Sequence, residues 1–438
     1  MKHAGTIKLI RPLALFAFIL AGAALSAADF DFGATLHNGT AFEKQVQGEN
    51  AALNQQDSAA LWFETGAPFS GSGRISLAGQ LAYEFTNNRA MLFNLDYFRV
   101  FGWMPGALGT TSVLEFTAGR FPFADPSAMI LNHTADGVKV RALYPSFVLD
   151  FSGAYTGLLL NPKSEIRMTA EDWSDKANET DNAFGPKRII ADATISFLDL
   201  GGVNNLSLYG IAQFDGRSGS KSTKIDTQYL GISVSRLIGS NAYSDFFFNA
   251  EMGQIKAPDQ KTRLTAGFLT GMKLKYIRED WKASLFEFGL LAAPPDFDTS
   301  LIKGVNVGVI GYLPVSQPSL GINVSPQMNA LALAEAKYSF RPFMGSANLA
   351  ASRFQADIAG RAYFRTWSVG VNWIGTDPAS DSLFIGSELE CGFNWRILSD
   401  VGIGLDSAVF LPASGSAGAV VSGMDPMWTV RLDLSVSL

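Results

Sequence analysis

The chain has one cysteine, Cys391, among its 438 residues. That excludes a disulfide framework and any zinc or iron–sulfur site built on clustered thiolates. Histidine is nearly as scarce, at three residues, so no His-rich metal spacing exists. Charged residues reach only 17%, against about 25% in a typical soluble domain. The balance is acidic, with a net charge of −6. Nucleic-acid binding, which needs a basic surface, is not expected. Long apolar runs are also missing from the body of the chain. Its longest charge-free stretch, 304–334, carries Pro314, Pro318 and Pro326 together with Ser316, Gln317, Asn323 and Gln327. A lipid-spanning helix does not tolerate that load.

What is present is an apolar but interrupted composition: 47% hydrophobic residues, 43 Gly and 33 Phe. The first 28 residues read as a secretory signal peptide. Lys2, Lys8 and Arg11 form a basic region, Pro12 to Leu25 an apolar one, and Ser26-Ala27-Ala28 a small-residue cleavage site. Asp29 is then the expected first mature residue. Loss of the three leading cations moves the net charge from −6 to −9. Export, no disulfides and no spanning helix leave one membrane architecture, a closed β-barrel.

The dominant period is two. Trp428, Val430, Leu432, Leu434, Val436 and Leu438 alternate with Thr429, Arg431, Asp433, Ser435 and Ser437. Successive strand side chains point to opposite faces, so this is a strand with one greasy and one wet side. Leu264, Ala266, Phe268, Met272 and Leu274 likewise oppose Arg263, Thr265, Gly267, Lys273 and Lys275. Ile385, Leu389, Phe393 and Trp395 oppose Glu388, Glu390, Asn394 and Arg396, and Phe246, Phe248 and Met252 oppose Asn249 and Glu251. Several such strands exceed the about 9–11 residues of a tilted membrane strand. The reading is an all-β fold: a transmembrane antiparallel β-barrel of about 16–18 strands over 29–438. A weak amphipathic-helix pattern occupies 330–338. The polar insertion 161–187 loses the alternation and is expected to be a long exposed loop.

The richest local segment runs from Gly119-Arg120 through Asp125-Pro126-Ser127 and His133 to Asp136, Lys139 and Arg141. Proline and Asp-Pro-Ser break a ladder, so a strand end is expected at Gly119-Arg120. Arg120, Asp125, His133, Asp136, Lys139 and Arg141 are the constriction candidates. A cluster of cations in a narrow lumen attracts anions. The competing reading pairs Arg120 with Asp125 or Asp136 to hold a loop. Arg263, Lys273, Lys275, Glu388, Glu390 and Arg396 are the lumen-facing candidates. His133 lacks a nucleophile elbow around any serine. No catalytic residue, metal site or cofactor is expected, and the chain is read as no enzyme.

Gly119-Arg120, the stretch Gly386-Ser387-Glu388-Leu389-Glu390 and the later Phe410-Leu411-Pro412 together resemble the alginate-export type of outer-membrane porin. That resemblance implies a single-chain barrel of roughly 18 strands. It does not imply alginate as the substrate, because those pores are lined by many arginines and this chain is acidic. The expected function is an outer-membrane channel of a diderm (Gram-negative) bacterium passing small hydrophilic solutes through a polar lumen. The expected partners are outer-membrane lipids, lipopolysaccharide or its equivalent, the barrel-assembly machinery and the solutes. One alternative is a fatty-acid-transporter-like barrel for apolar substrates, with 37–57 as a small plug. Another is a non-conducting surface adhesin or structural barrel.

Overall fold

In the computed structural model, the described residues are 29–438 except 45–49, 70, 88, 178–182, 218–221, 257–261, 295–310, 368–374, 378 and 416–417. The signal segment 1–28 lies outside them. Among the described residues, eighteen strands follow one another. They are β1 Asp29–Lys44, β2 Ala52–Phe69, β3 Gly73–Thr86, β4 Arg89–Pro105, β5 Val113–Ala124 and β6 Asn132–Leu143. Next come β7 Phe147–Tyr155, β8 Arg188–Leu200, β9 Val203–Asp215, β10 Lys224–Ile238, β11 Ala242–Lys256 and β12 Thr262–Arg278. The last six are β13 Ser284–Ala292, β14 Leu331–Phe340, β15 Phe354–Arg365, β16 Phe384–Arg396, β17 Val401–Pro412 and β18 Met427–Ser437.

Every strand pairs antiparallel with its sequence neighbours, and β1 pairs with β18 from Thr35↔Ser437 to Lys44↔Trp428. The ring of strands is therefore closed, and every strand has a hydrogen-bonded neighbour on each side over part of its length. Connections alternate between two ends. After even-numbered strands they are mostly tight, as at 201–202 and 397–400; after odd-numbered strands they include 156–187, 293–330, 366–383 and 413–426. We call these the turn end and the loop end.

The alternation places apolar side chains outside and polar ones inside. Phe246, Phe248, Met252, Leu389, Val430, Leu432 and Leu434 are exposed on the outer face. Asn249, Glu251, Glu388 and Thr429 are buried within the barrel. One exception is instructive. Ile385 shares parity with Leu389, yet it is fully buried whereas Leu389 is exposed. The register shifts between Tyr363 and Phe364, and this bulge turns Ile385 inward. Residues 331–338 belong to β14 and not to a helix, with Ala330 in the turn before it: Leu331 and Leu333 are buried, while Leu333 to Ala336 hydrogen-bond in register with β13 and β15.

Two further expectations change. His37 to Lys44 lie in β1 and Ala52 to Asp57 in β2, so the described part of 37–57 is wall and not plug; 45–49 lie outside the described residues. The alternation is hidden because polar residues occupy both faces there. Asn38 bonds Asp57 on one face while His37 meets Asp433 at 3.1 Å on the other. The described part of the polar insertion 161–187 does not stand off the barrel. Asn161, Ser164, Ile166, Met168 and Asp172 are buried, and a helix, Ala170–Ala177, packs its base against the wall.

Candidate functional site

The lumen is narrowed by three inward-folded pieces of the loop end. The first is the tip of the β5–β6 hairpin. β4 and β5 pair only from Pro105↔Val113 to Phe98↔Arg120, and β6 and β7 only as far as Asp136↔Tyr155. Beyond those points β5 and β6 pair with each other alone, to Ala124↔Asn132. The hairpin thus leaves the wall instead of ending at Gly119-Arg120, which corrects the expected strand end. The departure occurs at Gly119↔Gly137. Gly119 has φ +121, and a Cβ there would lie 2.1 Å from the Phe98 carbonyl oxygen, so only glycine fits. The detached hairpin buries Phe121, Phe123, Ile130 and Leu131 in one apolar cluster with Ile166 and Val315 from the other two loops.

Asp125 shapes the tip. Its carboxylate accepts the backbone N–H groups of Ser127, Ile130 and Leu131 at 2.8–2.9 Å and the Ser127 hydroxyl. Ser127 then meets β11 through Asn249, which donates to its hydroxyl at 3.0 Å, while Tyr209 on β9 donates to Asn249 at 2.6 Å. In the barrel order β7, β8, β9 and β10 lie between β6 and β11. This contact spans the lumen.

The second piece is a strap, 311–330. At one side Tyr229 donates to the Leu313 carbonyl at 2.6 Å, and Glu251 accepts the Leu313 N–H at 2.5 Å. In the middle Val315 and Ser316 donate backbone N–H groups to the Ile130 carbonyl, and Tyr312 donates its hydroxyl to the Met129 carbonyl. Burial pushes the Tyr312 hydroxyl well above its ordinary pKa, so it remains a donor. At the other side Glu388 accepts the Asn323 N–H at 2.6 Å and the Tyr363 hydroxyl at 2.8 Å. Glu390 accepts the Ile322 N–H at 3.2 Å, and Thr429 donates to Asn323 at 2.7 Å. The strap passes so close that a Cβ on Gly321 would fall 2.0 Å from a Glu388 carboxylate oxygen.

The third piece is 156–177, held by a buried ion network. Asp172 meets Arg188 at 2.7 Å and Arg217 at 3.2 Å; Asp215 meets Arg188 at 3.1 Å and Arg217 at 2.5 Å. The Asp172, Arg188 and Asp215 side chains have 0% exposure, a burial that charges tolerate only when paired in this way. Desolvation opposes the Arg217 charge, but Asp215 and Asp172 outweigh it and raise its pKa. The same Asp172 accepts the Met168 and Thr169 N–H groups at 3.0 Å while Thr169 caps the helix through the Asp172 N–H. Sequence reasoning missed this network. Its signal is Thr169-Ala170-Glu171-Asp172, a capping box with Asp in place of Glu.

The remaining candidates separate into four groups. Arg120 and Asp136 are a structural pair: the guanidinium donates at 3.0 and 2.8 Å to Asp136 and at 3.0 Å to the Leu95 and Leu158 carbonyls. Arg120 is buried and closes the gap where the hairpin leaves β4. His133 is buried on the hairpin's inner side, and its Nε2 has no hydrogen-bond partner among the described residues. The wall ladder comprises Lys139 and Arg141 with Asp150, Lys273 with Glu287, Lys275 with Asp245, and Glu390 with Arg361, which also bonds Glu335 at 2.7 Å. Arg263 and Arg396 are exposed, near the loop end of β12 and the turn end of β16 respectively. The structure therefore separates Arg120 from Lys139 and Arg141.

Between the hairpin tip, the strap and the β10–β15 wall lies a cavity of about 440 Å³. Ser127 and Met129 enter it from the hairpin, Ser319 and Leu320 from the strap, and Asp245, Phe247, Lys273, Glu335 and Arg361 from the wall.

No protein-family model matches the sequence, and no curated protein is similar to it in sequence. Solved structures are similar in fold. OccK2 (OpdF) of Pseudomonas aeruginosa has a TM-score of 0.59 at 13% identity, over 94% of this chain and 98% of that one. A structure of OccK2 in complex with glucuronate gives 0.58 at 15% identity over the same shares. OccAB2 of Acinetobacter baumannii gives 0.57 at 9% identity, over 93% and 98%. These are Occ proteins and not alginate-export barrels, which overturns the resemblance drawn from short motifs. The motif segments themselves are wall: Glu388 and Glu390 anchor the strap, and Phe410-Leu411-Pro412 ends β17 instead of forming a loop. The similarity shows the fold, that of a Gram-negative outer-membrane porin, here closed by eighteen antiparallel strands.

Proposed function

We propose that the protein is an outer-membrane channel that passes small hydrophilic solutes through a lumen narrowed by the hairpin tip, the strap and the docked helix. The observation that carries this reading is the cavity of about 440 Å³ left between those loops and a wall of paired charges. A polar lining offers hydrogen bonds to replace solute hydration, and loops folded inward set the size limit. The outer apolar face fits contact with outer-membrane lipids and lipopolysaccharide, and insertion by the barrel-assembly machinery. The fatty-acid reading loses its plug, since the described part of 37–57 is barrel wall. An adhesin reading leaves the interior cavity without a role. Catalysis has no constellation in support of it among the described residues.

Lys139, Arg141, Lys273, Lys275, Glu390 and Arg361 line the path in this proposal, while Arg120, Asp125 and Asp136 act by positioning the hairpin. Purified protein in a planar bilayer should give discrete conductance steps. Silence at all voltages, in protein that still shows heat-modifiable barrel migration, refutes the channel.

A further inference from the structure

We infer that the solute the cavity selects is an uncharged, hydroxyl-bearing molecule of monosaccharide size, and not a free anion. The inference rests on the channel reading above and concerns what the same cavity prefers.

Charge balance disfavours a free anion. The cavity wall carries two carboxylates, Asp245 and Glu335, and two cations, Lys273 and Arg361. Each cation is already held. Arg361 lies between Glu335, at 2.7 Å, and Glu390. Lys273 has Glu287 at 3.8 Å. The pattern continues around the lumen: Lys275 has Asp245 at 3.3 Å, Lys337 has Asp357 at 3.7 Å, and Arg141 has Asp150 at 2.7 Å with Glu115 at 3.8 Å. Arg431 lies between Asp406 and Asp433. An entering carboxylate must displace one of these partners or sit beside it. Two like charges at such separations repel, and the interior of a narrow lumen screens them less than bulk water does. A neutral solute meets no such barrier.

The remaining lining suits hydroxyl groups and a ring face. Ser233, Ser235 and Ser319 bring hydroxyls to the cavity from the wall and the strap, while the Ser127 hydroxyl is taken already by Asp125, Asn249 and the Met129 N–H. A hydroxyl both donates and accepts, as a sugar hydroxyl does. Ser235 already donates to Asp245 at 2.7 Å, which leaves its oxygen as an acceptor. Phe247 and Leu320 add apolar surface for the C–H face of a ring. The volume, about 440 Å³, lies at the lower end of the about 300–1,000 Å³ of small-molecule sites.

Glucose and glucuronate share a ring and differ by one carboxylate, so they isolate charge. Full-length protein in liposomes should swell faster in glucose than in sodium glucuronate, by about tenfold if displacing a partner costs about 1.4 kcal/mol. Equal rates, or faster glucuronate, overturn the inference while leaving the channel reading intact. Swelling in neither solute, together with no conductance, refutes the channel itself and the inference with it. The variant Glu287→Gln with Glu335→Gln frees Lys273 and half-frees Arg361 without touching the strap. It should raise the glucuronate rate by about tenfold on the same scale and shift the reversal potential in a KCl gradient toward chloride. An unchanged selectivity in a barrel that folds overturns the inference. Should the double variant not fold, Glu335→Gln alone supplies the same test, with a smaller shift toward the anion expected.

Discussion

Replacing Asp172 with asparagine strikes the helix Ala170–Ala177 at its anchor. The native carboxylate meets Arg188 at 2.7 Å and Arg217 at 3.2 Å with no exposure of its own side chain. After the change, two guanidinium groups share the one remaining carboxylate, Asp215. Removing one partner of a buried pair costs about 3–5 kcal/mol, because the other charge stays buried. The amide oxygen still accepts one cap hydrogen bond, so loss of the cap adds little. The ladder of eighteen strands does not depend on this contact, and the energy falls on docking of the helix rather than on the barrel. At about 1.4 kcal/mol per decade, the undocked population should rise roughly a hundredfold to a few thousandfold. Hydrogen exchange of the amides at 170–177 in detergent micelles reads this directly, with β10–β12 as the unchanged internal reference. Asp172→Asn combined with Arg217→Gln restores one cation to one anion and should recover a large part of the protection. Unaltered exchange in the single variant, or no recovery in the double, refutes the account of the network.

The other inward elements respond to substitution and pH in the same way. Gly119→Ala places a methyl against the Phe98 carbonyl at a left-handed φ, a strain of about 1–3 kcal/mol; a changed single-channel conductance or a lower folded yield is expected, and neither changing counts against the hinge. Arg120→Ala leaves Asp136 and two backbone carbonyls without their donor; current noise should increase while ion selectivity stays put, and a pure selectivity change would instead place Arg120 in the path. Glu251→Leu removes the acceptor for the Leu313 N–H and should loosen the strap, whereas Glu251→Gln retains an acceptor oxygen and should behave nearly as the parent in channel recordings. Partial burial raises the Glu171 pKa, but the donors at Thr223 and Thr169 outweigh it and hold the carboxyl below its ordinary value. The contribution to helix docking is then full above the ordinary Glu value of about 4.3 and fades as pH falls through the lower folded value. Proteolysis of 160–177 should accelerate at acid pH, with that acceleration reduced in Glu171→Gln.

The wall is largely legible in the side-chain alternation. From Trp428 onward in β18 the even positions are apolar and the odd ones polar, and the barrel places Leu432 and Leu434 outside and Thr429 inside. Lys273 and Lys275 fall on the expected inner face for the same reason. Ile385 shows where pattern alone fails, since a bulge moves one residue across the wall without any mark in its own identity. His37 to Asp57 show the converse: a ladder persists where polar residues on both faces erase the signal.

The loops obey no such period. Asp125 is recognisable as a turn former, but nothing near it in sequence announces that Ser127 will meet Asn249 across the lumen. The pattern of β16 turns Glu388 and Glu390 to the interior, and they lie there; that they hold backbone N–H groups of a strap more than sixty residues earlier is not readable from it. Arg120 has two readings in the sequence, a pore cation with Lys139 and Arg141 or the partner of Asp125 or Asp136 in holding a loop, and the pattern does not choose between them. The turn of the hairpin away from the wall takes the second, burying Arg120 against Asp136 and two carbonyls.

By itself the sequence determined the all-β class, the closed barrel and the two faces of most strands. These follow from a local rule, a side-chain period of two, that acts within a few residues. Only the tertiary structure decided which loops enter the lumen, which charges cancel one another and how much space remains for a solute. Those depend on contacts between residues far apart in the chain, made when closure brings opposite walls and three loops into one volume.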